Sequence, residues 1–201
     1  MRQESQKKTV RRAARIAEYL DEAGVPDVWI YGADCHRLPA IERGCLEPWI
    51  ADWAVLTKER IFPGSPVDEN ALARSVQGYG LFTSDSVANA MGTLTAEYGN
   101  SRMPVLVLFH VESMVGEDAA VAARLKKAAG KPLFWQFIAQ LDELPWSVLD
   151  RLDDIREERP EIANAHYNGS WNLDISGGLD AFQQYSMIKP YARWVRESRR
   201  R

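Results

Sequence analysis

The apolar pattern in the second half of the chain predicts strands that alternate with helices. Two almost uninterrupted apolar runs, residues 105–111 and 133–139, are typical of buried strands, and a shorter strand is predicted over 162–167. Amphipathic spacing predicts helices over residues 86–98, 117–129, 145–157 and 179–197. Ser84 or Asp85 should cap the first of these helices, and Pro190 should kink or divide the last one.

The first half has a less regular pattern. Apolar residues at helical spacing predict a helix over 7–23, which Gly24 and Pro26 should end. Residues 27–33 read as a strand, and turn chemistry is predicted over 34–46. For residues 48–55 the pattern fits a short strand and a helical turn equally well. A proline- and glycine-containing loop over 61–67 and a short helix over 69–77 complete this half.

Repeated strand–helix units imply parallel strands joined by right-handed crossovers, with helices on both faces of the sheet. The predicted fold class is therefore α/β, a three-layer α/β/α sandwich with a mostly parallel, Rossmann-like sheet. The length of 201 residues suits one generous domain, so we expect residues 1–201 to form a single domain.

Charge and cysteine content narrow the class of protein. The formal net charge is −3, although basic residues crowd both ends of the chain. These ends are predicted to be solvated helix faces, because aromatic residues do not interleave with them, and we expect no nucleic-acid partner. The two cysteines, Cys35 and Cys45, are too few for a disulfide framework. With no signal segment or membrane span, a reduced, cytoplasmic protein is predicted.

Candidate binding residues fall where the predicted strands end, because open α/β sheets bind ligands at the carboxyl ends of their strands. The polar residues there are Asp34, Cys35, His36, His110, Glu112, Ser113, Gln140, Asp142, His166 and Asn168. Polar residues are expected at any strand end, where the chain leaves the core. The carboxylates of Asp34, Glu112 and Asp142 nevertheless support an alternative function, a small hydrolase or phosphoryl-processing enzyme.

Recognised catalytic motifs are missing from the sequence. It contains no phosphate-binding P-loop, no dinucleotide fingerprint, no nucleophile elbow and no His-Glu-x-x-His. Cys35, His36 and Cys45 have a spacing that matches no common zinc framework. Neighbours in a strand point to opposite faces, so Cys35 beside His36 does not indicate a nucleophile with its base.

Several segments together resemble a von Willebrand factor A-like (vWA-like) domain, of the type at the C terminus of tellurium-resistance TerF proteins and related bacterial stress proteins. The resemblance covers almost the whole chain, and Pro132-Leu-Phe-Trp-Gln-Phe-Ile138 is its most distinctive piece. The other segments are 27–32, 103–113, 149–153, 162–167 and 188–195. The resemblance implies a parallel α/β sheet and a non-enzymatic protein-interaction module that acts in stress or tellurium resistance.

The family's metal-ion-dependent adhesion site is expected to be degenerate here. Its Asp-x-Ser-x-Ser and the first strand before it are absent, as if the chain began just after them. Glu112-Ser113 replaces an Asp-Gly pair, and the loop threonine is matched loosely by Thr83 or Asp85. Mg²⁺ prefers oxygen ligands in near-octahedral geometry, so Glu112 is only a weak metal candidate and no cofactor is expected.

The missing strand bears on the expected partners. In the family this strand lies in the middle of the sheet, between the second and fourth strands. Three outcomes are open: the true start lies upstream, the two flanking strands pair directly, or another chain fills the position. We expect a protein partner at the edge formed by Asp34, Thr83, Asp85, Glu112, Ser113 and Asp142. A homo-oligomer would follow if the strand is supplied by a second copy.

Overall fold

The computed structural model of the chain describes residues 2–20, 24–31, 35–53, 86–111, 117–139, 164–168 and 181–198. The chain divides into two compact units, residues 1–85 and 86–201. Each unit is described by itself. The single domain expected over residues 1–201 stays a prediction.

The described residues of the first unit form two helices and a small hairpin. Helix α1 spans Arg2–Leu20, strands β1 and β2 span Trp29–Tyr31 and Cys35–Arg37, and helix α2 spans Leu46–Trp53. Of the ambiguous residues 48–55, the described residues 48–53 are helical. Pro48 fits this helix because the first turn needs no backbone donor there.

The β1–β2 hairpin differs from the expected arrangement. Strand β1 pairs antiparallel with β2 in a separate two-stranded sheet, and is not a strand of the parallel sheet. The predicted turn over 34–46 therefore contains a strand. The pairing is extended by a backbone hydrogen bond from Leu38 to Val28 (2.8 Å) and by an ion pair between Arg37 and Asp27. The Cys-His-Arg sequence of β2 does not alternate between apolar and polar residues, so hydrophobic periodicity could not predict this strand.

A small apolar core holds this unit together. It consists of Leu38, Ile41, Trp49 and Ile50, against which the partly buried Val10, Val28, Ile30, Leu46 and Trp53 pack. The indole Nε1 of Trp49 donates to the Pro39 carbonyl oxygen at 2.8 Å. The buried aromatic ring therefore has its polar atom satisfied, as packed tryptophans usually do.

The second unit is built on a parallel sheet. Its elements in chain order are α3 (Val87–Tyr98), β3 (Val105–Val111), α4 (Asp118–Ala128), β4 (Leu133–Ala139), β5 (Ala165–Asn168) and α5 (Ala181–Ser198). The strand order is β3-β4-β5, with both pairings parallel. The predicted α/β class is confirmed. Within the described part of the chain, β4 is the strand that pairs with β3.

Strand β4 forms the centre of this core. Leu133, Trp135 and Phe137 alternate with Phe134, Gln136 and Ile138, and each of these residues is at most 1% exposed. Because successive side chains point to opposite faces, both faces of β4 are covered. The bounds of β3 and β4 agree with the predicted strands. Continuous apolar runs of this kind are what a strand buried on both faces requires.

Helix α4 buries part of the apolar set that its spacing predicts. Leu125 and Ala128 of that set are buried and Ala120 and Ala123 are exposed, whereas Val121 is buried in addition. The larger side chains, at spacing i and i+4, determine which face packs. Helix α3 buries Val87, Ala90, Met91 and Leu94, as its periodicity predicts.

Side-chain hydrogen bonds of Asn164 connect the end of α4 to the sheet. This residue is 1% exposed, and its Nδ2 donates to the carbonyl oxygens of Ala128 and Leu133, each at 3.2 Å. The backbone of Trp135 donates to the Asn164 carbonyl oxygen at 2.8 Å. Asn164 thus satisfies a carbonyl at the end of α4 and joins β5 to the start of β4, so the sheet and helix ends are held in register.

Helix α5 continues through Pro190, where a kink or a division was predicted. Its rings pack on β4, with Phe134 lying 5.9 Å from Tyr191 and 5.6 Å from Trp194 between ring centroids. The Tyr191 hydroxyl donates to the Pro104 carbonyl oxygen at 3.0 Å. These contacts hold α5 beside the amino ends of β3 and β4.

Replacing Tyr191 by phenylalanine should lower the free energy of unfolding by about 0.5–1.5 kcal/mol, because it removes one part-buried hydrogen bond and keeps the ring contacts. Urea unfolding followed by circular dichroism measures the change. Tyr191→Leu removes the ring as well and should cost more. Equal losses for the two variants would show that the hydroxyl contributes nothing.

Two predicted helices, over residues 69–77 and 145–157, lie outside the described residues. The loop expected over 61–67 does so too. Among the helices that are described, none is long and apolar enough to cross a membrane.

Candidate functional site

The carboxyl edge of the parallel sheet is the candidate site. Strands β3, β4 and β5 end at Val111, Ala139 and Asn168 on the same edge, because all three run in one direction. Helix α4 follows β3 and begins at Asp118, so its N-terminus lies at this edge as well.

Glu117 joins this edge to the N-terminus of α3. Its Oε2 accepts hydrogen bonds from the Ser86 hydroxyl at 3.1 Å and from the Ala88 backbone N–H at 3.0 Å. Its Oε1 accepts from the Val87 backbone N–H at 3.2 Å. A side chain about thirty residues further along the chain therefore satisfies donors in the first turn of α3.

The electrostatics of this contact favour a carboxylate. The N-terminal end of a helix carries a partial positive charge, which a negative side chain stabilises. Glu117 immediately precedes α4, yet its side chain makes no capping hydrogen bond to that helix. The carboxylate thus caps α3 while the backbone of Glu117 begins α4. Glu117, which precedes α4, is thereby joined to Ser86, Val87 and Ala88 at the start of α3.

Ser86, not Ser84 or Asp85, is the N-cap of α3. Its backbone is extended, and its hydroxyl oxygen accepts from the Asn89 N–H at 3.2 Å. The same hydroxyl donates to Glu117, so one side chain contacts both its own helix and the distant carboxylate. The predicted cap is wrong by one or two positions because this tertiary contact selects among adjacent polar residues.

The six candidate binding residues, Asp34, Thr83, Asp85, Glu112, Ser113 and Asp142, lie outside the described residues. Two pairs of them flank the Glu117 contact in the sequence. Ser86 directly follows Asp85, and Glu117 lies five positions after Glu112. Thr83 and Asp85 thus precede Ser86 in the sequence, and Glu112 and Ser113 precede Glu117. A hydrogen bond between Ser86 and Glu117 joins the first described residue after each of these two pairs.

The other predicted strand-end residues divide between the two units. Cys35 and His36 belong to the two-stranded antiparallel sheet, so they do not follow strands of the parallel sheet. Asn168 is the last residue of β5, and Gln140 lies outside the described residues. His110 lies within β3 opposite Ile138, and His166 lies within β5 opposite Gln136. These positions place both histidines inside the sheet, before the strands end. Among the described residues, no three His, Cys, Asp or Glu side chains come close enough together to hold a metal ion.

Two important polar residues were not singled out from the sequence. Glu117 reads locally as an ordinary residue at a helix start, and no pattern marks a contact with a helix thirty residues earlier. Gln136 is a lone polar residue in an apolar run, and this signal was available. It is 1% exposed, and its Nε2 donates to the His166 carbonyl oxygen at 3.5 Å. Gln136 thus links β4 to β5.

Comparison with known protein families identifies the chain. The sequence model of the vWA domain found in the TerF C terminus matches residues 1–201. The chain belongs to the TerF-like vWA family. No curated protein and no solved structure gave a match.

In this TerF-like vWA domain, the surroundings of Glu117 do not suit the Mg²⁺ ion that such a domain implies. The Glu117 carboxylate faces backbone N–H groups and a hydroxyl, and both of its oxygens accept hydrogen bonds. A positive helix end repels a cation, and N–H groups cannot ligate one. Glu117 therefore serves as a helix cap and not as a metal ligand.

The cysteines of the TerF-like vWA domain have different environments. Burial raises the pKa of the Cys35 thiol from 9.0 to about 11, whereas Cys45 is exposed. A thiol is nucleophilic only when deprotonated, so Cys35 is held in its unreactive form at neutral pH. This environment does not support a cysteine nucleophile at position 35.

Iodoacetamide at pH 8.5 should alkylate Cys45 at least about tenfold faster than Cys35. A pKa raised by about two units lowers the thiolate fraction about a hundredfold, and burial restricts access further. Peptide mass spectrometry at timed intervals measures both rates. Raising the pH to 10 should speed the reaction of Cys35 steeply, because more of its thiol ionises. Similar rates at pH 8.5 would contradict the assignment.

Proposed function

We propose that the chain is a non-enzymatic vWA-like protein-interaction module with a degenerate metal-ion-dependent adhesion site. We place it in the bacterial cytoplasm, in a stress or tellurium-resistance context. The family match over residues 1–201 supports the module assignment. The single observation that supports the degenerate metal site is the Glu117 contact. In this contact, N–H groups in the first turn of α3 donate to a carboxylate of the protein itself.

The partner in this proposal docks on the carboxyl edge of the sheet. The Glu117 hydrogen bonds support this location, since they would fix the two segments that flank the edge relative to each other. Glu112 is the side chain proposed to meet the partner. In this role Glu112 would recognise a donor on the partner and would not hold a metal ion.

A quantitative pull-down from the organism that encodes the chain tests the docking edge. Glu112→Ala should reduce the recovery of at least one specific partner. Glu97→Ala is the matched control, because Glu97 is exposed in the last turn of α3, at the opposite end of that helix. If Glu112→Ala leaves every partner bound as well as Glu97→Ala does, the edge is not the docking site.

Thermal melting tests the degenerate metal site separately. A ligand that binds only the folded state raises the melting temperature, so a working site would respond to added Mg²⁺. We expect the same melting temperature in 5 mM Mg²⁺ and in EDTA, at matched ionic strength. An increase of several degrees that Glu112→Ala abolishes would establish a metal site and overturn the degenerate assignment.

A further inference from the structure

The exposed face of α1 has a distinct composition. The helix buries Ile16 (1% exposed) and Ala14 (5%), and Val10 packs on the core of the first unit. At about 100° per residue, the basic residues Lys8, Arg12 and Arg15 and the aromatic Tyr19 fall within about 60° of one another on the other side. We call these four residues the basic stripe.

Solvent reaches the basic stripe. Lys8 and Arg15 are exposed, and the Tyr19 side chain is 57% exposed. The large apolar side chains that are exposed in the described residues are Tyr19, Leu20, Val25 and Met103. Three of these lie between positions 19 and 25, where the stripe ends. Leu20 and Val25 thus add exposed apolar side chains close in sequence to the end of the stripe.

The charge of α1 contrasts with that of the whole chain. The helix contains six Lys or Arg residues and two Glu residues, whereas the chain has a formal net charge of −3. Arg11 forms an ion pair with Glu47 of α2, and its guanidinium donates to both carboxylate oxygens at 2.7 and 2.6 Å. These hydrogen bonds lower the pKa of Glu47 and keep the pair charged. Arg11 therefore holds the helix to α2 while the stripe faces outward.

An acidic partner complements this surface, and the exposed apolar side chains of Leu20 and Val25 favour a protein over a nucleic acid. Leu20 and Val25 cannot stack on bases, which is the contact that aromatic residues make with single strands. Arg and Tyr, with apolar neighbours, are the residues enriched at protein–protein interfaces.

We propose that the basic stripe of α1 binds an acidic protein segment that also carries aliphatic side chains. Lys8, Arg12 and Arg15 attract its carboxylates, and Tyr19 contacts its apolar residues. The basic stripe shares no residue with the proposed carboxyl-edge site.

Fluorescence anisotropy with the full chain and three labelled probes tests the proposal. The probes are a synthetic Glu-rich peptide containing leucines, the same peptide with serine in place of each leucine, and a single-stranded oligonucleotide of equal charge. We expect the leucine-containing peptide to bind most tightly. The double variant K8E/R15E should weaken its binding at least about tenfold. Tyr19→Ser should weaken it about threefold or more and leave the serine-containing peptide within about twofold.

The matched control is K126E/K127E, which makes the same charge change on two exposed lysines of α4. It should leave the affinity for the leucine-containing peptide within about twofold. Circular dichroism melts establish that every variant is folded. The proposal is overturned if the oligonucleotide binds most tightly, if no peptide binds, or if the α4 control weakens binding as much as K8E/R15E does. The first of these results would assign the stripe to nucleic acid.

Discussion

Replacing Trp135 by alanine is expected to lower the free energy of unfolding by about 3–5 kcal/mol. Trp135 is 0% exposed in the middle of β4, and its ring lies 6.2 Å from Phe109 and 6.4 Å from Phe137 between centroids. Removing the indole deletes a large buried surface and leaves a cavity that rigid neighbours on β3 and β4 cannot fill. Urea unfolding followed by circular dichroism measures this loss.

Met103→Ala is the matched control, because Met103 is a large apolar residue of the same unit that is 67% exposed. Its replacement should change the free energy of unfolding by less than about 0.5 kcal/mol. A loss below about 1 kcal/mol for Trp135→Ala would show that β4 is not the centre of the core.

The burial that makes Trp135 sensitive is also the reason that β3 and β4 could be predicted from the sequence. A strand covered on both faces needs apolar residues at nearly every position, and residues 105–111 and 133–139 meet this requirement. Helix α3 was predictable for a related reason. Its apolar residues are large and regularly spaced, so only one face could pack.

Elements held by specific polar contacts could not be predicted in the same way. Strand β2 depends on backbone pairing with β1 and on the Arg37–Asp27 ion pair, and its Cys-His-Arg sequence has no strand signal. In α4, the alanines fit several helix faces equally well. Only the tertiary contacts of Val121 and Leu125 select the face that is buried.

The carboxyl edge was predictable as a location, but its central contact was not. Parallel strands bring their carboxyl ends together, so topology alone places polar loops there. The cap that Glu117 provides for α3 depends on how two helices pack, and no local motif encodes that distance. Sequence reasoning therefore found candidate residues near this contact and missed Glu117 itself.

Replacing Glu117 by alanine is expected to lower the free energy of unfolding by about 2–3 kcal/mol. The change removes the three hydrogen bonds that the carboxylate accepts, from the Ser86 hydroxyl and from the backbone N–H groups of Val87 and Ala88. Hydrogen bonds to charged groups contribute about 1.5–3 kcal/mol each, and bonds that share one carboxylate are not additive. Glu117→Gln keeps the shape but loses the charge, so an intermediate loss is expected.

Asp118→Ala provides the comparison that separates the Glu117 contact from a general helix-dipole effect. Asp118 is an exposed acidic residue in the first turn of α4, so its loss should cost only about 0.3–1 kcal/mol. A double-mutant cycle of Glu117→Ala with Ser86→Ala should show a coupling energy of about 1 kcal/mol, because the two side chains share a hydrogen bond. Equal losses for Glu117→Ala and Asp118→Ala, together with no coupling to Ser86, would mean that Glu117 does not join the two helices. In that case the Glu117 contact would not support the proposed docking edge.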